Sequence, residues 1–229
     1  MNRREIMKFG AAGTAIAILA GGKVLASSKS IKVAFMIGPN ANVIDTAGPW
    51  EVFQDYAPST AGSLGMPASP FEIYTVGPSH DPVTMTGGLV VVPHYSHADA
   101  PQPNVIIVPA MRPTESGDRW LKQASAKADI TASICTGAFH LARAGLFDGL
   151  AATTHHEFYD SFSRQFPNVD LRKGRRFVDS GKIMSAGGLT SGIDLALHVV
   201  ARYFNESEAA GLAAWLEHDS EGWRTGIRA

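Results

Sequence analysis

The chain has 229 residues, 45% of them hydrophobic and 18% charged, enough apolar material to bury a core and too little charge for a disordered chain. Its 20 Lys and Arg against 21 Asp and Glu leave a net charge of -1, so there is no basic excess to hold a nucleic-acid backbone. One Cys excludes an intramolecular disulfide and any cysteine-built zinc site.

Residues 1–26 read as an export signal. Arg3, Arg4 and Lys8 precede a modest apolar run from Phe9 to Gly22, and Val24-Leu25-Ala26 places small residues before a cut at Ser27. The Asn2-Arg3-Arg4-Glu5 start is of the twin-arginine type. Four bases (Arg3, Arg4, Lys8, Lys23) and one acid (Glu5) would leave with it, moving the net charge from -1 to -4. The expected location is the periplasm, reached through the twin-arginine export machinery, with no stable membrane insertion after processing; Lys23, close to the cut, leaves retention as an anchor open. An unpaired thiol in that oxidising compartment calls for a chemical explanation.

From residue 27 onward one domain is expected. Ile31–Ile37 is a short apolar run that reads as a buried strand, and Thr46–Tyr56 as a helix with Pro49 in its first turn. Pro58–Pro70 reads as a surface excursion. Phe71–Val76 alternates as a strand, Thr84–Val92 turns back on itself at Gly87-Gly88, and Asn104–Pro109 is apolar on both faces, as a central parallel strand is. Glu115–Lys127 is a helix, Ile130–Ile134 a strand, Gly137–Ala144 a helix, Ala151–Thr154 a strand and Glu157–Gln165 a helix. A hairpin around Ser180-Gly181 and two closing helices, Gly192–Phe204 and Ser207–His218, complete the chain. Strands alternating with helices define an α/β fold, a doubly wound, mostly parallel sheet with helices on both faces.

The chemistry-bearing stretch is Ser133-Ile134-Cys135-Thr136-Gly137. A strand that ends on a Cys and turns at once into a helix lifts the sulfur above the carboxyl edge of the sheet, where open α/β sheets bind ligands. The helix N-terminus favours thiolate there. The plain alternative is an inert buried thiol. Asp45 follows the first strand, on the same edge, and reads either as the acid/base partner of the thiol or as the N-cap of the next helix. His155 ends another strand and reads either as a site residue or as a hydrogen-bonded surface residue. His94 and His97 are too isolated from carboxylates to suggest a metal, and Arg172–Arg176 reads as a solvated basic hairpin.

At these residues the chain resembles the ThiJ/PfpI superfamily of the class I glutamine amidotransferase-like fold, and within it the isocyanide hydratase group. Five blocks carry the resemblance: Ile44–Phe53, Ser133–Ala138, Ala144–Gly149, Ala152–His155 and Gly187–Asp194. The resemblance implies a Cys135 nucleophile, Asp45 as its proton shuttle, Thr136 bordering the site, and His155 at a position where some relatives place a His near the cysteine. It also implies backbone donors from Thr136 and from the Ala110–Met111 segment, no cofactor and no metal, a small-molecule substrate and a homodimer. Ala110-Met111-Arg112 stands where the hydratase group has Gly-Gly after the proline, bringing bulk and charge to the pocket wall. The activity implied is hydration of isocyanides or similar small electrophilic carbon substrates. The competing expectation is a ligand-binding or redox-sensing module like the sensing domain of AraC-type regulators.

Overall fold

The computed structural model describes residues 30–58 and 69–228. The expected export signal and most of the excursion after Pro58 lie outside the described residues.

The first half of the chain contributes β1 (Ile31–Met36), α1 (Val43–Asp55), β2 (Phe71–Gly77), β3 (Val83–Thr84), β4 (Val90–Val91), β5 (Tyr95–Ser96), β6 (Val105–Val108) and α2 (Glu115–Lys127). The second half contributes β7 (Ile130–Ile134), α3 (Ala138–Arg143), β8 (Ala151–Ala152), α4 (Tyr159–Gln165), β9 (Asp170–Leu171), β10 (Phe177–Ser180), β11 (Ile183–Ala186), α5 (Ser191–Tyr203), α6 (Glu206–Trp215) and β12 (Ile227–Arg228). The main sheet runs β12-β10-β11-β7-β6-β1-β2-β5. From β11 to β5 every pairing is parallel; the β10–β11 hairpin is antiparallel. β3 and β4 pair as the hairpin expected around Gly87-Gly88.

Alternation along the strands assigns the two faces. Val33, Phe35, Val105, Ile107, Ala132 and Ile134 point to a layer built from α1, α5 and α6. Their neighbours Ala34, Met36, Ile106 and Val108 point to the opposite layer, where Trp120, Leu121, Leu141 and Phe162 come from α2, α3 and α4. Both faces are covered, so β6 is apolar at every position and fully buried. Burying each such side chain contributes roughly 1.5–3 kcal/mol. The fold is the doubly wound, mostly parallel α/β sheet in one domain that the element order implied.

Three local readings are corrected. α1 begins at Val43, capped by Asn42, whose Oδ1 accepts from the N–H groups of Ile44 (3.1 Å) and Asp45 (3.4 Å). Asp45 is therefore inside the helix and is not its cap, and Pro49 sits in the second turn rather than the first. β8 is only two residues long and pairs with β9 in a separate small sheet, so the segment reaching His155 is no strand of the main sheet. Arg176, expected in a solvated basic hairpin, turns inward and pairs with the fully buried Asp194.

Candidate functional site

The junction of β7 and α3 carries the site. Between them Cys135–Gly137 form a single 3₁₀ turn, and Cys135 has φ 57°. That left-handed conformation costs a side-chain-bearing residue roughly 1–2 kcal/mol, and the surroundings impose it. The Cys135 N–H donates to the Gly187 carbonyl (2.7 Å), and the Cys135 carbonyl accepts from the Thr154 hydroxyl (2.9 Å) and from the Ala138 N–H. Gly137 makes the turn possible. A Cβ there would stand 2.1 Å from the Val108 carbonyl oxygen at the end of β6, a distance no side chain tolerates.

The sulfur is held under the surface; Cys135 is 7% exposed. The backbone N–H groups of Thr136 and Leu189, and the Thr136 hydroxyl, hydrogen-bond it. These contacts lower the thiol pKa, but burial, followed by the nearby Asp45 charge, outweighs them and pushes it up to about 11. The helix terminus expected to favour thiolate is thus overridden by desolvation. At neutral pH the resting group is a thiol.

Asp45, in the first turn of α1, is fully buried. Its Oδ2 accepts from the Ala110 N–H (3.1 Å), while its Oδ1 has no hydrogen-bond partner among the described residues. Burial pushes the carboxyl up to about 7, with the Ala110 N–H acting in the other direction. The charge of Asp45 reaches the thiol, yet no hydrogen bond joins the two side chains.

The segment after β6 is tied down almost everywhere. The Ala110 carbonyl accepts from the Asn42 N–H (2.8 Å), Met111 O accepts from His140 Nε2 (3.2 Å), and the Arg112 N–H donates to Pro39 O (3.0 Å). Of the two backbone donors expected here, Ala110 is engaged by Asp45, and the Met111 N–H makes no hydrogen bond among the described residues. The Met111 thioether lies beside Gly38. A cleft of about 250 Å³ beside the elbow is lined by Met111, Thr136, Phe139, His140, Arg143 and Phe158, with Ser161.

The structure thus gathers Cys135, Thr136, Asp45 and Ala110. His155 stands slightly apart. Its Nδ1 accepts from the Glu157 N–H (3.3 Å), and its ring covers Gly188, where a Cβ would lie 2.2 Å from His155 Cδ2. No hydrogen bond joins it to Cys135 among the described residues. His94 bonds Thr75 and stacks on Trp50, and His97 bonds Ser116 and stacks on Trp120. Among the described residues no cluster of three His, Cys, Asp or Glu could hold a metal ion. The residues that sequence reasoning gave no role are those of the Gly187–Leu189 loop. Leu189 has φ 52°, which nothing in its side chain announces.

A mostly parallel sheet with a cysteine on a left-handed strand-to-helix turn, close to a buried acid, defines a class: α/β proteins that hold a thiol at the junction of a central strand and the helix that follows it. The chain belongs to the DJ-1/PfpI family, whose model matches residues 31–202. It is 28% identical over 176 residues to isonitrile hydratase of Pseudomonas putida, covering 73% of this chain and 70% of that protein. Over 84 residues it is 37% identical to the HTH-type transcriptional regulator CdhR of Pseudomonas aeruginosa, a match spanning 37% of this chain and only 25% of the regulator. Among solved structures, a ThiJ/PfpI family protein from Pseudomonas syringae superposes with a TM-score of 0.71 at 24% identity, over 90% of this chain and 84% of that one. An AraC family transcriptional regulator from Pseudomonas putida superposes with a TM-score of 0.68 at 22% identity, over 81% and 99%. These two establish the fold alone.

Proposed function

We propose that the protein is a cysteine-dependent hydratase of isocyanides or similarly small electrophilic carbon compounds. The observation that carries this reading is the buried Asp45 carboxyl beside the Cys135 thiol, with one oxygen held by Ala110 and the other unpartnered. A carboxyl raised to about 7 both accepts and returns a proton near neutral pH. The similarity to isonitrile hydratase over most of both chains supports it.

In the proposed reaction Asp45 accepts the thiol proton as the Cys135 sulfur forms a bond to the terminal isocyanide carbon. It then delivers that proton to the same carbon, giving a thioimidate. Asp45 next takes a proton from water while the hydroxyl adds to the carbon, and passes it to the nitrogen. The carbon–sulfur bond breaks, the hydroxyl proton goes to sulfur, and an N-substituted formamide leaves. The sum is isocyanide plus water to formamide, with no redox change. The Met111 N–H and Thr136 border the space where charge develops.

The test is a panel of alkyl and aryl isocyanides, following loss of isocyanide and appearance of formamide. Wild type should turn over, and Cys135→Ala and Cys135→Ser should be inactive yet folded; hydration retained in both would discard the mechanism.

One observation favours a second reading. The chain's identity to regulators such as CdhR is higher, though over shorter stretches, as a sensing module would show. Wild type inert on the whole panel, with reversible peroxide oxidation of Cys135, would select that reading. We further propose that the protein acts in the periplasm, on the strength of residues 1–26, and that it pairs as a homodimer. Leu89, Val90 and Val92, exposed on and beside the β3–β4 hairpin, support pairing. Amino-terminal sequencing of exported protein and light scattering on the purified chain test these two points.

A further inference from the structure

We infer that Arg176 and Asp194 are positioning residues for Cys135: their ion pair holds the Gly187–Thr190 loop against the elbow and keeps the Leu189 N–H on the sulfur. The inference deepens the proposed reading of the site, and its test is independent of turnover.

The loop meets the elbow twice. The Gly187 carbonyl accepts the Cys135 N–H (2.7 Å), and the Leu189 N–H faces the sulfur closely enough to lower the thiol pKa. Leu189 is exposed and left-handed, at φ 52°, so the loop does not favour this shape by itself and an external restraint must hold it. Arg176 supplies three. Its carbonyl accepts the Gly187 N–H (2.9 Å), its Nη1 donates to Thr190 Oγ1 (3.2 Å), and its Nε and Nη2 both lie 2.5 Å from Asp194 Oδ2. Two of these grip opposite ends of the loop.

Asp194, in the first turn of α5, is the fixed point. It is fully buried, and besides Arg176 it accepts from His218 Nε2 (2.9 Å) and from the Ser220 hydroxyl (3.3 Å). A buried carboxylate with this many partners cannot shift without exposing uncompensated charge. Through Arg176 that rigidity passes to the loop. Around the sulfur itself, Asp45 from α1 is the ionisable side chain whose charge reaches it, and Thr136 and Leu189 donate to it. Arg176 and Asp194 therefore act through the loop's geometry and not through their own field.

The test uses the chain's single thiol, so alkylation by iodoacetamide reports Cys135 alone. In the full-length protein, Asp194→Asn should shift the pH profile of alkylation upward by about one unit and slow the reaction at pH 7.5 about tenfold, the effect of losing a hydrogen bond to a developing charge. A second variant spares the buried charge. Thr190→Val removes one anchor at an exposed position whose side chain makes no cap hydrogen bond, and should slow alkylation about threefold with an unchanged melting temperature. A folded Asp194→Asn protein with the wild-type alkylation profile overturns the inference. Should Asp194→Asn not fold, a wild-type profile in Thr190→Val overturns it just the same. A wild-type protein that fails to hydrate isocyanides refutes the proposed function and leaves these expectations standing.

Discussion

Replacing Asp45 by Asn should abolish turnover and, at alkaline pH, make the protein more stable. Asp45 is fully buried and its carboxyl is raised from 3.8 to about 7 by that burial. The folded state therefore holds the proton more tightly than the unfolded chain does. The sign follows from linkage: Asp45 is without cost below pH 3.8, and stability is lost as pH rises from there through 7. Above pH 7 the ionised carboxylate costs about 4 kcal/mol, the difference between the two pKa values at 1.36 kcal/mol each. Asn does not titrate. Its oxygen can still accept the Ala110 N–H, but its amide N–H groups replace the unpartnered Oδ1 and cost about 1–3 kcal/mol at every pH. Urea unfolding at pH 5 and pH 8.5 separates the terms, since the burial that chiefly shifts the titration of the thiol is common to both proteins and drops out of their difference. Between these two values the stability of wild type relative to Asp45→Asn should fall by about 2–3 kcal/mol. A difference between the two proteins that stays flat from pH 5 to 8.5 would refute the claim that Asp45 is destabilised by burial, and with it the assignment of a proton shuttle near neutrality.

The remaining expectations concern the backbone of the elbow. Gly137→Ala places a Cβ 2.1 Å from Val108 O, a backbone clash that should cost about 3 kcal/mol or more in chemical denaturation; a loss under about 1 kcal/mol would mean the turn is not packed on β6 as described. Cys135→Gly should be more stable than Cys135→Ala by up to about 1 kcal/mol, because glycine occupies φ 57° without strain, less its greater unfolded-state entropy. Gly188→Ala meets the His155 ring at 2.2 Å and should destabilise by about 1–3 kcal/mol; adding His155→Ala should restore most of that, which a double-mutant cycle on melting temperature reads directly.

How much of this could be read from residue order depends on how far apart the cooperating residues lie. The bounds of α2 and β7 are legible because each is set by neighbours: Thr114 caps α2 through its hydroxyl to the Gly117 N–H, and β7 is a β-branched run ended by the Cys-Thr-Gly turn. β5, β9 and β12 have two residues each, too few to show any period. The start of α1 differs from the expected Thr46 for a local reason. Asn42 and Asp45 are both good caps three residues apart, and Pro49 argues for the later start, since proline is usual in a first turn. The structure tolerates Pro49 one turn deeper, which frees Asp45 to point its carboxyl inward.

Where sequence reasoning went furthest wrong was the ionisation of the thiol, and the cause is non-local. A strand–Cys–helix junction shows the dipole and the N–H donors that stabilise thiolate, all within a few residues. It does not show the Asp45 charge contributed 90 positions away, nor the layer of α1 and α5 that takes the sulfur out of water. The same holds for Arg176 and Asp194, 18 residues apart and joined only because β10, β11 and α5 fold back on one another. Burial and the nearby Asp45 charge raise the proton affinity of the thiol, so Cys135 keeps its proton at rest, while a carboxyl pushed up to about 7 is placed to take it near neutral pH. In the proposed reaction the thiol then waits on a compound small and apolar enough to enter, and that selection comes from burial rather than from the charge of the sulfur.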